Sequence, residues 1–117
     1  MEIKIVKDQP VTRNELKEIA AQAQWEAVKA VVDIEQEIMA IGGVMHAEEE
    51  VQLMEVMSSK RDHTWGVNLY PGRWGDTFVE FDSMVNLKVW LGNRTRSVES
   101  EEIRLRIKTI IQKLVSD

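Results

Sequence analysis

The chain has 117 residues, no cysteine and a formal net charge of −5, and 30% of its residues are charged. These values predict one soluble cytoplasmic domain over residues 1–117, without disulfides, thiol chemistry or the general affinity for nucleic acid that depends on cations. No apolar run approaches the roughly 20 residues of a membrane span, and the first residues lack the long apolar segment of a signal peptide.

Local patterns predict the elements in the first half of the chain. A short alternating strand comes first, and Thr12 and Glu15 then match the capping box that opens a helix. Residues 28–41 follow a period of two, which predicts a β-hairpin that reverses near residues 34–37. Glu37 stands in this turn, where the favoured short hairpin turns use glycine, so the turn type remains open.

Two more helices are predicted. The first runs from about residue 47 to residue 57, with Val51, Leu53 and Met54 turned inward. The second has Ser100 as its N-cap, followed by two glutamates that suit the positive end of a helix. Its apolar stripe indicates the side that packs on the core, and the stripe contains Ile103, Ile107, Ile110, Ile111 and Leu114.

Residues 78–90 alternate with period two over their full length and predict a long strand. The odd positions are mostly apolar, whereas Glu80, Asp82, Asn86 and Lys88 occupy even positions. Because successive side chains of a strand point to opposite faces, one face joins the core and the other is polar. A bend or bulge after Asp82 would interrupt this alternation.

These elements predict an α+β protein with the element order β-α-β-β-α-β-β-α. Strands with one polar face are typical of an antiparallel sheet whose other face is covered by helices. We therefore expect a mostly antiparallel sheet with three helices packed on one face.

The polar face of this sheet is the first candidate site. If a strand over residues 64–70 pairs with the long strand as a hairpin, Asn68 and Tyr70 lie beside Glu80 and Asp82. Paired carboxylates can perform acid–base chemistry or supply oxygen ligands to Mg²⁺ or Ca²⁺. A solvated sheet face without a function explains the same pattern. The candidate ligand-binding residues on this face are Asn68, Glu80, Asp82 and Asn86.

Residues 92–97, here called the arginine loop, form the second candidate site. Arg94 and Arg96 stand among small polar residues, and two guanidinium groups can clamp a phosphate or a carboxylate. The loop matches no phosphate-loop motif. Alternatively, the two arginines pair with Glu80, with Asp82 or with a second subunit.

Three further residues are conspicuous. His46 precedes a run of glutamates but lacks a second histidine at metal-binding spacing, so we predict no metal site and no cofactor. Trp74 lies in a polar loop and Trp90 on the polar side of its strand, where a monomer leaves a tryptophan in water. We therefore expect a homo-oligomer, most simply a dimer.

Several segments together resemble a small bacterial domain family of unknown function. They are residues 31–43, His46-Ala47, residues 65–71, residues 80–84 and residues 92–96. The resemblance covers nearly the whole chain but implies no reaction, ligand or partner. Two residues depart from the pattern of such proteins, Glu37 in place of a turn glycine and His63.

Two functions fit these sites. The first is a non-enzymatic binding module that holds a small anionic ligand or an acidic partner segment, since the chain shows no nucleophile–base set. The alternative is a small hydrolase or phosphotransfer enzyme, with Glu80 or Asp82 as base or Mg²⁺ ligand and with Arg94 and Arg96 stabilising negative charge. A pocket shared by Glu80, Asp82 and Arg94 would favour the enzyme, and a flat sheet face would favour the module.

Overall fold

The computed structural model describes residues 2–117, which form three helices and a five-stranded antiparallel sheet. The helices are α1 (Arg13–Gln22), α2 (His46–Met57) and α3 (Glu101–Leu114). The strands are β1 (Lys4–Val6), β2 (Val11–Thr12), β3 (Val28–Asp33), β4 (Ile38–Ile41), β5 (Thr64–Leu69), β6 (Val79–Glu80) and β7 (Val115–Ser116). The large sheet has the order β1-β4-β3-β5-β6, and β2 and β7 form a separate parallel pair. The predicted α+β class is confirmed.

The helices lie on both faces of the sheet, so their predicted placement on one face is wrong. Helices α1 and α3 pack on the face that contains Ala30 and Val32. Helix α2 packs on the opposite face, where Leu53 joins Val31 and Ala40. Strands β3 and β4 lie inside the sheet and are apolar on both sides, so both of their faces need cover. Within residues 2–117, none of the helices has the length and apolar character that a membrane span requires.

The inward side of α2 is more polar than predicted. Leu53 is buried as expected, but Val51 and Met54 are 49% and 39% exposed. Polar side chains take the inward positions because they find partners on the sheet. The buried residues of α2 are His46, Glu49, Glu50 and Leu53.

The predicted helix caps are confirmed. Thr12 accepts a hydrogen bond from the Glu15 nitrogen, and the Glu15 carboxylate accepts one from the Thr12 nitrogen, which completes the capping box. Ser100 caps α3 by accepting from the nitrogen of Ile103. The predicted stripe of α3 faces the core, with Ile107, Ile110, Ile111 and Leu114 buried and Ile103 packed beside them.

The predicted hairpin between β3 and β4 is confirmed, with Asp33 paired with Ile38. Its turn contains Glu37 with a φ of 58°, a left-handed conformation that glycine adopts more easily. The Asp33 carboxylate accepts hydrogen bonds from the backbone nitrogens of Glu35 and Gln36 at 2.9 and 3.1 Å. These bonds hold the turn in the absence of glycine.

The predicted strand over residues 78–90 is wrong beyond Glu80. Only Val79 and Glu80 pair with β5, and two 3₁₀ turns follow, at Met84–Asn86 and Val89–Leu91. The odd positions do not share one face, because Phe81 packs with α3 whereas Val85 packs with α2.

Gly66 of β5 explains this departure from the sheet. A Cβ atom at Gly66 would lie 2.5 Å from Cβ and Oγ of Ser83 and 2.8 Å from Cγ2 of Val85, so the chain crosses directly over the glycine. The side chain of Asn86 forms the hydrogen bonds with Gly66 that a neighbouring strand would otherwise form. Its Oδ1 accepts from the Gly66 nitrogen at 2.8 Å, and its Nδ2 donates to the Gly66 oxygen at 2.9 Å.

Candidate functional site beside helix α2

A row of polar side chains crosses three strands on the α2 side of the sheet. Lys29 of β3 is paired with Asn68 of β5, and Asn68 is paired with Glu80 of β6. Directly paired residues of neighbouring strands point to the same face, so the three side chains are neighbours. The predicted hairpin that brings Asn68 beside Glu80 is confirmed.

Asn68 is the centre of this row and is only 5% exposed. Its Nδ2 donates to Oε1 of Glu80 at 2.8 Å and to the backbone oxygen of Asp82 at 3.2 Å. Because both partners are acceptors, the amide orientation is fixed. The carbonyl oxygen Oδ1 is buried and has no hydrogen-bond partner within residues 2–117. An unpaired buried acceptor of this kind costs about 1–3 kcal/mol.

Glu80 places a negative charge at the exposed edge of the row. Its Oε1 also accepts a hydrogen bond from the hydroxyl of Tyr70 at 3.1 Å. Burial raises the pKa of Tyr70, and the Glu80 carboxylate raises it further, so this hydroxyl stays protonated and donates. Both donors to Glu80 are neutral, and Glu80 forms no ion pair within the part of the chain that the structure describes.

His46 reaches the same region from the first turn of α2. Its Nε2 lies 2.8 Å from the backbone oxygen of Val67, which can only accept, so Nε2 carries the proton. Burial lowers the pKa of His46 below its usual value of 6.5 and Lys29 lowers it as well, against the opposing effects of the Val67 carbonyl and Asn68. The ring is therefore neutral at pH 7, and Nδ1 is left as an acceptor.

Only one of the two guanidinium groups of the arginine loop is paired within the described part of the chain. Nε of Arg96 donates to Oδ1 of Asp82 at 2.7 Å, which agrees with the alternative predicted for this loop. The Glu99 carboxylate accepts from the backbone nitrogens of Arg94 and Thr95 at 2.6 and 3.0 Å. A carboxylate of the chain thus occupies the place where these backbone groups would hold an external anion. The exposed guanidinium of Arg94 forms no hydrogen bond or ion pair within residues 2–117.

The structure brings together four of the six predicted ligand-binding residues: Asn68, Glu80, Asp82 and Arg96. Arg94 points to solvent, and Asn86 is buried with its amide bound to the backbone of Gly66 and to the oxygen of Arg96. We name the resulting group the polar cluster. It consists of His46, Asn68, Tyr70, Glu80, Asp82 and Arg96, with Lys29 at one end of the row.

The sequence alone does not predict that His46 and Lys29 belong to this region. The spacing of His46 and Glu50 before the buried Leu53 is helical and would have placed the histidine on the inward side of α2. No local signal exists for Lys29, because its position beside Asn68 depends on the pairing of β3 with β5, two strands separated by a hairpin and a helix.

A buried carboxyl group, Glu49, lies next to this region. Its Oε2 accepts from the nitrogen of Gly43 at 2.9 Å, and its Oε1 is buried without a partner within residues 2–117. Burial raises the pKa of Glu49 well above the ordinary value of 4.5. A raised pKa in the folded state gives stability that is fully present below pH 4.5 and is lost as the pH rises through the folded-state pKa.

We therefore expect Glu49→Gln, which resembles the protonated acid, to be more stable than the unchanged protein at pH 8. The difference in the free energy of unfolding between the two proteins should decrease as the pH is lowered towards 4, because the carboxyl group of Glu49 is then protonated. Urea unfolding of both proteins between pH 4 and pH 8 measures this. The matched control is Glu55→Gln on the exposed side of α2. Equal pH dependence of Glu49→Gln and the unchanged protein would contradict the prediction.

Fold and site define an α+β domain whose antiparallel sheet is covered by helices on both faces and carries a polar cluster beside α2. The chain belongs to the family described as "Protein of unknown function (DUF5674)", whose model matches residues 4–114. The resemblance to a family of unknown function is thereby confirmed. No curated protein and no solved structure matches the chain.

Proposed function

We propose that the chain is a non-enzymatic binding domain whose polar cluster recognises a ligand or partner segment that carries hydrogen-bond donors. The observation that carries this proposal is the exposed carboxylate of Glu80, which two neutral donors hold in place and which forms no ion pair within residues 2–117. An amine or a guanidinium would pair with this carboxylate.

The charge of the polar cluster supports the same ligand class. Asp82 and Arg96 neutralise each other, His46 is neutral, and the two remaining charges lie at opposite ends of the row, Lys29 at one end and Glu80 at the other. The Glu80 end of the cluster therefore favours a cation over an anion. The anionic ligand predicted for the arginine loop has less support, because Glu99 and Asp82 already accept from the donors of that loop.

The hydrolase or phosphotransfer alternative stays a prediction. It requires Arg94 and Arg96 to share a phosphate, but Arg96 is bound to Asp82 and Arg94 points to solvent. Among residues 2–117, no three histidine, aspartate or glutamate side chains converge as a metal site. No specific observation favours this alternative over the binding domain.

The proposal retains the cytoplasmic location and the homodimer predicted from the sequence. Trp74 and Trp90 are 65% and 50% exposed, as expected of residues in an interface between copies. Trp90 stands between the exposed Val89 and Leu91 in one 3₁₀ turn, which gives a local apolar surface for a second copy to cover.

The proposed function is tested by titrating ¹⁵N-labelled protein with methylguanidinium and, separately, with phosphate. We expect methylguanidinium to shift the side-chain amide signal of Asn68 and the backbone signal of Glu80. Glu80→Gln keeps the side-chain shape but removes the charge, so it should weaken this binding about tenfold, a difference of about 1.4 kcal/mol. The matched control Glu102→Gln, an exposed glutamate of α3, should leave it unchanged.

Two results would contradict the proposal. One is a titration in which methylguanidinium leaves the Asn68 amide signal unmoved. The other is a phosphate titration that shifts the signals of Arg94 and Thr95 and leaves those of Asn68 and Glu80 unmoved, since this places an anion site where the sequence predicted it.

A further inference from the structure

An apolar groove lies beyond the Lys29 end of the polar row. It has a volume of about 310 Å³ and runs between the end of α1, the start of β3 and the loop that joins β4 to α2. Small-ligand pockets in proteins begin at roughly 300 Å³ and are lined mostly by apolar groups. The lining includes Ile19, Trp25, Val28, Gly43 and Val44, and Lys29 is its charged residue.

The end of α1 presents Trp25 to this groove. The nitrogen of Trp25 donates to the oxygen of Ala20, and the nitrogen of Gln24 donates to the oxygen of Ala21, both at 3.0 Å. Together with the φ of 54° at Gln24, these bonds form a Schellman motif, in which glycine usually takes the left-handed position. The Trp25 ring also packs edge-on against Tyr70, with ring centroids 6.1 Å apart. The indole is thus held in place at the groove although it is 38% exposed.

Lys29 brings a positive charge to the groove without a counter-ion. Its Nζ lies 4.3 Å from the centroid of the Trp25 ring, and no carboxylate lies within 4.0 Å of it among residues 2–117. The side chain is only half-exposed and leaves a strand, so its position is restricted.

The groove wall also lacks a negative charge. The backbone of Gly43 forms part of this wall, and a Cβ there would lie 2.9 Å from Cγ of Glu49. Glu49 therefore packs directly behind the glycine. Burial raises the pKa of Glu49 well above its usual range, and neither oxygen of this carboxyl group lies within 4.0 Å of Nζ of Lys29.

We propose that this groove binds a small carboxylate with an apolar body. The carboxylate pairs with the ammonium of Lys29, and the apolar body packs against Trp25 and Val28. This site goes beyond the polar cluster. The two share only Lys29, which ends the polar row, and the proposed function rests on Glu80, so neither proposal depends on the other.

The test compares two probes of the same shape, 3-phenylpropionate and 3-phenylpropan-1-ol, by NMR titration of the full chain. We expect the carboxylate to shift the Trp25 indole signal and the backbone signals of residues 42–44, and to bind at least tenfold more tightly than the alcohol. Lys29→Met, which keeps most of the side-chain length, should remove this preference. The matched control Lys17→Met, at an exposed position of α1, should retain it.

Equal affinity of the two probes for the unchanged protein would overturn the proposal, because the groove would then select apolar shape alone. So would signal shifts confined to other parts of the chain, or a carboxylate preference that survives Lys29→Met. Because the two probes are compared on the unchanged protein, the carboxylate preference can be measured even if the variant fails to fold.

Discussion

Glu50→Ala should destabilise the fold by about 3–5 kcal/mol, because it leaves a buried lysine without its counter-ion. The Lys88 side chain is completely buried, and its Nζ lies 3.4 Å from Oε2 of Glu50. The same oxygen accepts from the hydroxyl of Thr64 at 2.7 Å, and Oε1 of Glu50 lies 3.4 Å from Nε of Arg61. Glu50 thus accepts hydrogen bonds from Lys88 and Thr64 and forms an ion pair with Arg61.

Urea unfolding of the variant measures this loss. The control is the double variant Glu50→Ala with Lys88→Met, which removes both charges and should recover much of the stability, since no unpaired charge is then buried. A loss of less than about 1 kcal/mol for Glu50→Ala would mean that the pair behaves like a solvated surface pair, contrary to this prediction.

Asn86→Ala should cost about 3 kcal/mol or more. The amide of Asn86 serves the backbone nitrogen and oxygen of Gly66 and the backbone oxygen of Arg96, at 2.8, 2.9 and 2.9 Å. Truncation to alanine leaves the nitrogen and oxygen of Gly66 without partners in a buried region, and each such loss costs about 1–3 kcal/mol. The Arg96 oxygen keeps the hydrogen bond that it accepts from the Ser83 nitrogen at 3.0 Å.

Two measurements check the Asn86 prediction. Urea unfolding gives the loss of stability, and hydrogen exchange at the Gly66 amide should become faster, because its acceptor is gone. Asn14→Ala, an exposed asparagine of α1, is the matched control and should change neither. An unchanged exchange rate at Gly66 would show that another group satisfies this amide.

Elements with a complete local signal were predictable from the sequence. Thr12 and Glu15 cap α1, Ser100 caps α3, and the stripe that contains Ile107 follows the helical period that the core requires. The β3–β4 hairpin has alternation on either side of a short reversal. In each case the residues that decide the structure lie within one or two turns of each other in the sequence.

The packing of α2 on the second face of the sheet was not predictable, because the residues that α2 contacts there are distant from it in sequence. In the sequence, His46 and Glu50 have the character of solvated polar residues. In the fold they are buried, because Val67 and Thr64 of β5 are their hydrogen-bond partners. The period-two pattern of residues 78–90 arises in a chain that contacts first the α3 layer and then the α2 layer. A strand with one apolar face gives the same pattern. Alternation alone therefore does not distinguish such a strand from a chain that contacts two layers in turn.

Some residues of the candidate site were likewise predictable from local patterns, and others were not. Asn68 and Glu80 come together through the hairpin of β5 and β6, whose register follows from the pattern of its two strands. Asp82 and Arg96 form an ion pair across a chain reversal. The sequence suggested this pairing only as an alternative to ligand binding. Lys29 joins the row through the order of strands in the sheet, which is a property of the whole fold.

Because β6 is short, part of the edge of β5 has no neighbouring strand among residues 2–117. Strand β5 has six residues, and β6 pairs with only two of them, so an open strand edge would otherwise remain beside Gly66. Open edges recruit strands from other molecules and start aggregation. Because the Asn86 amide occupies the Gly66 backbone groups, this edge is blocked against strand addition there. A strand from another molecule could add at Gly66 only after both hydrogen bonds of the Asn86 amide had broken.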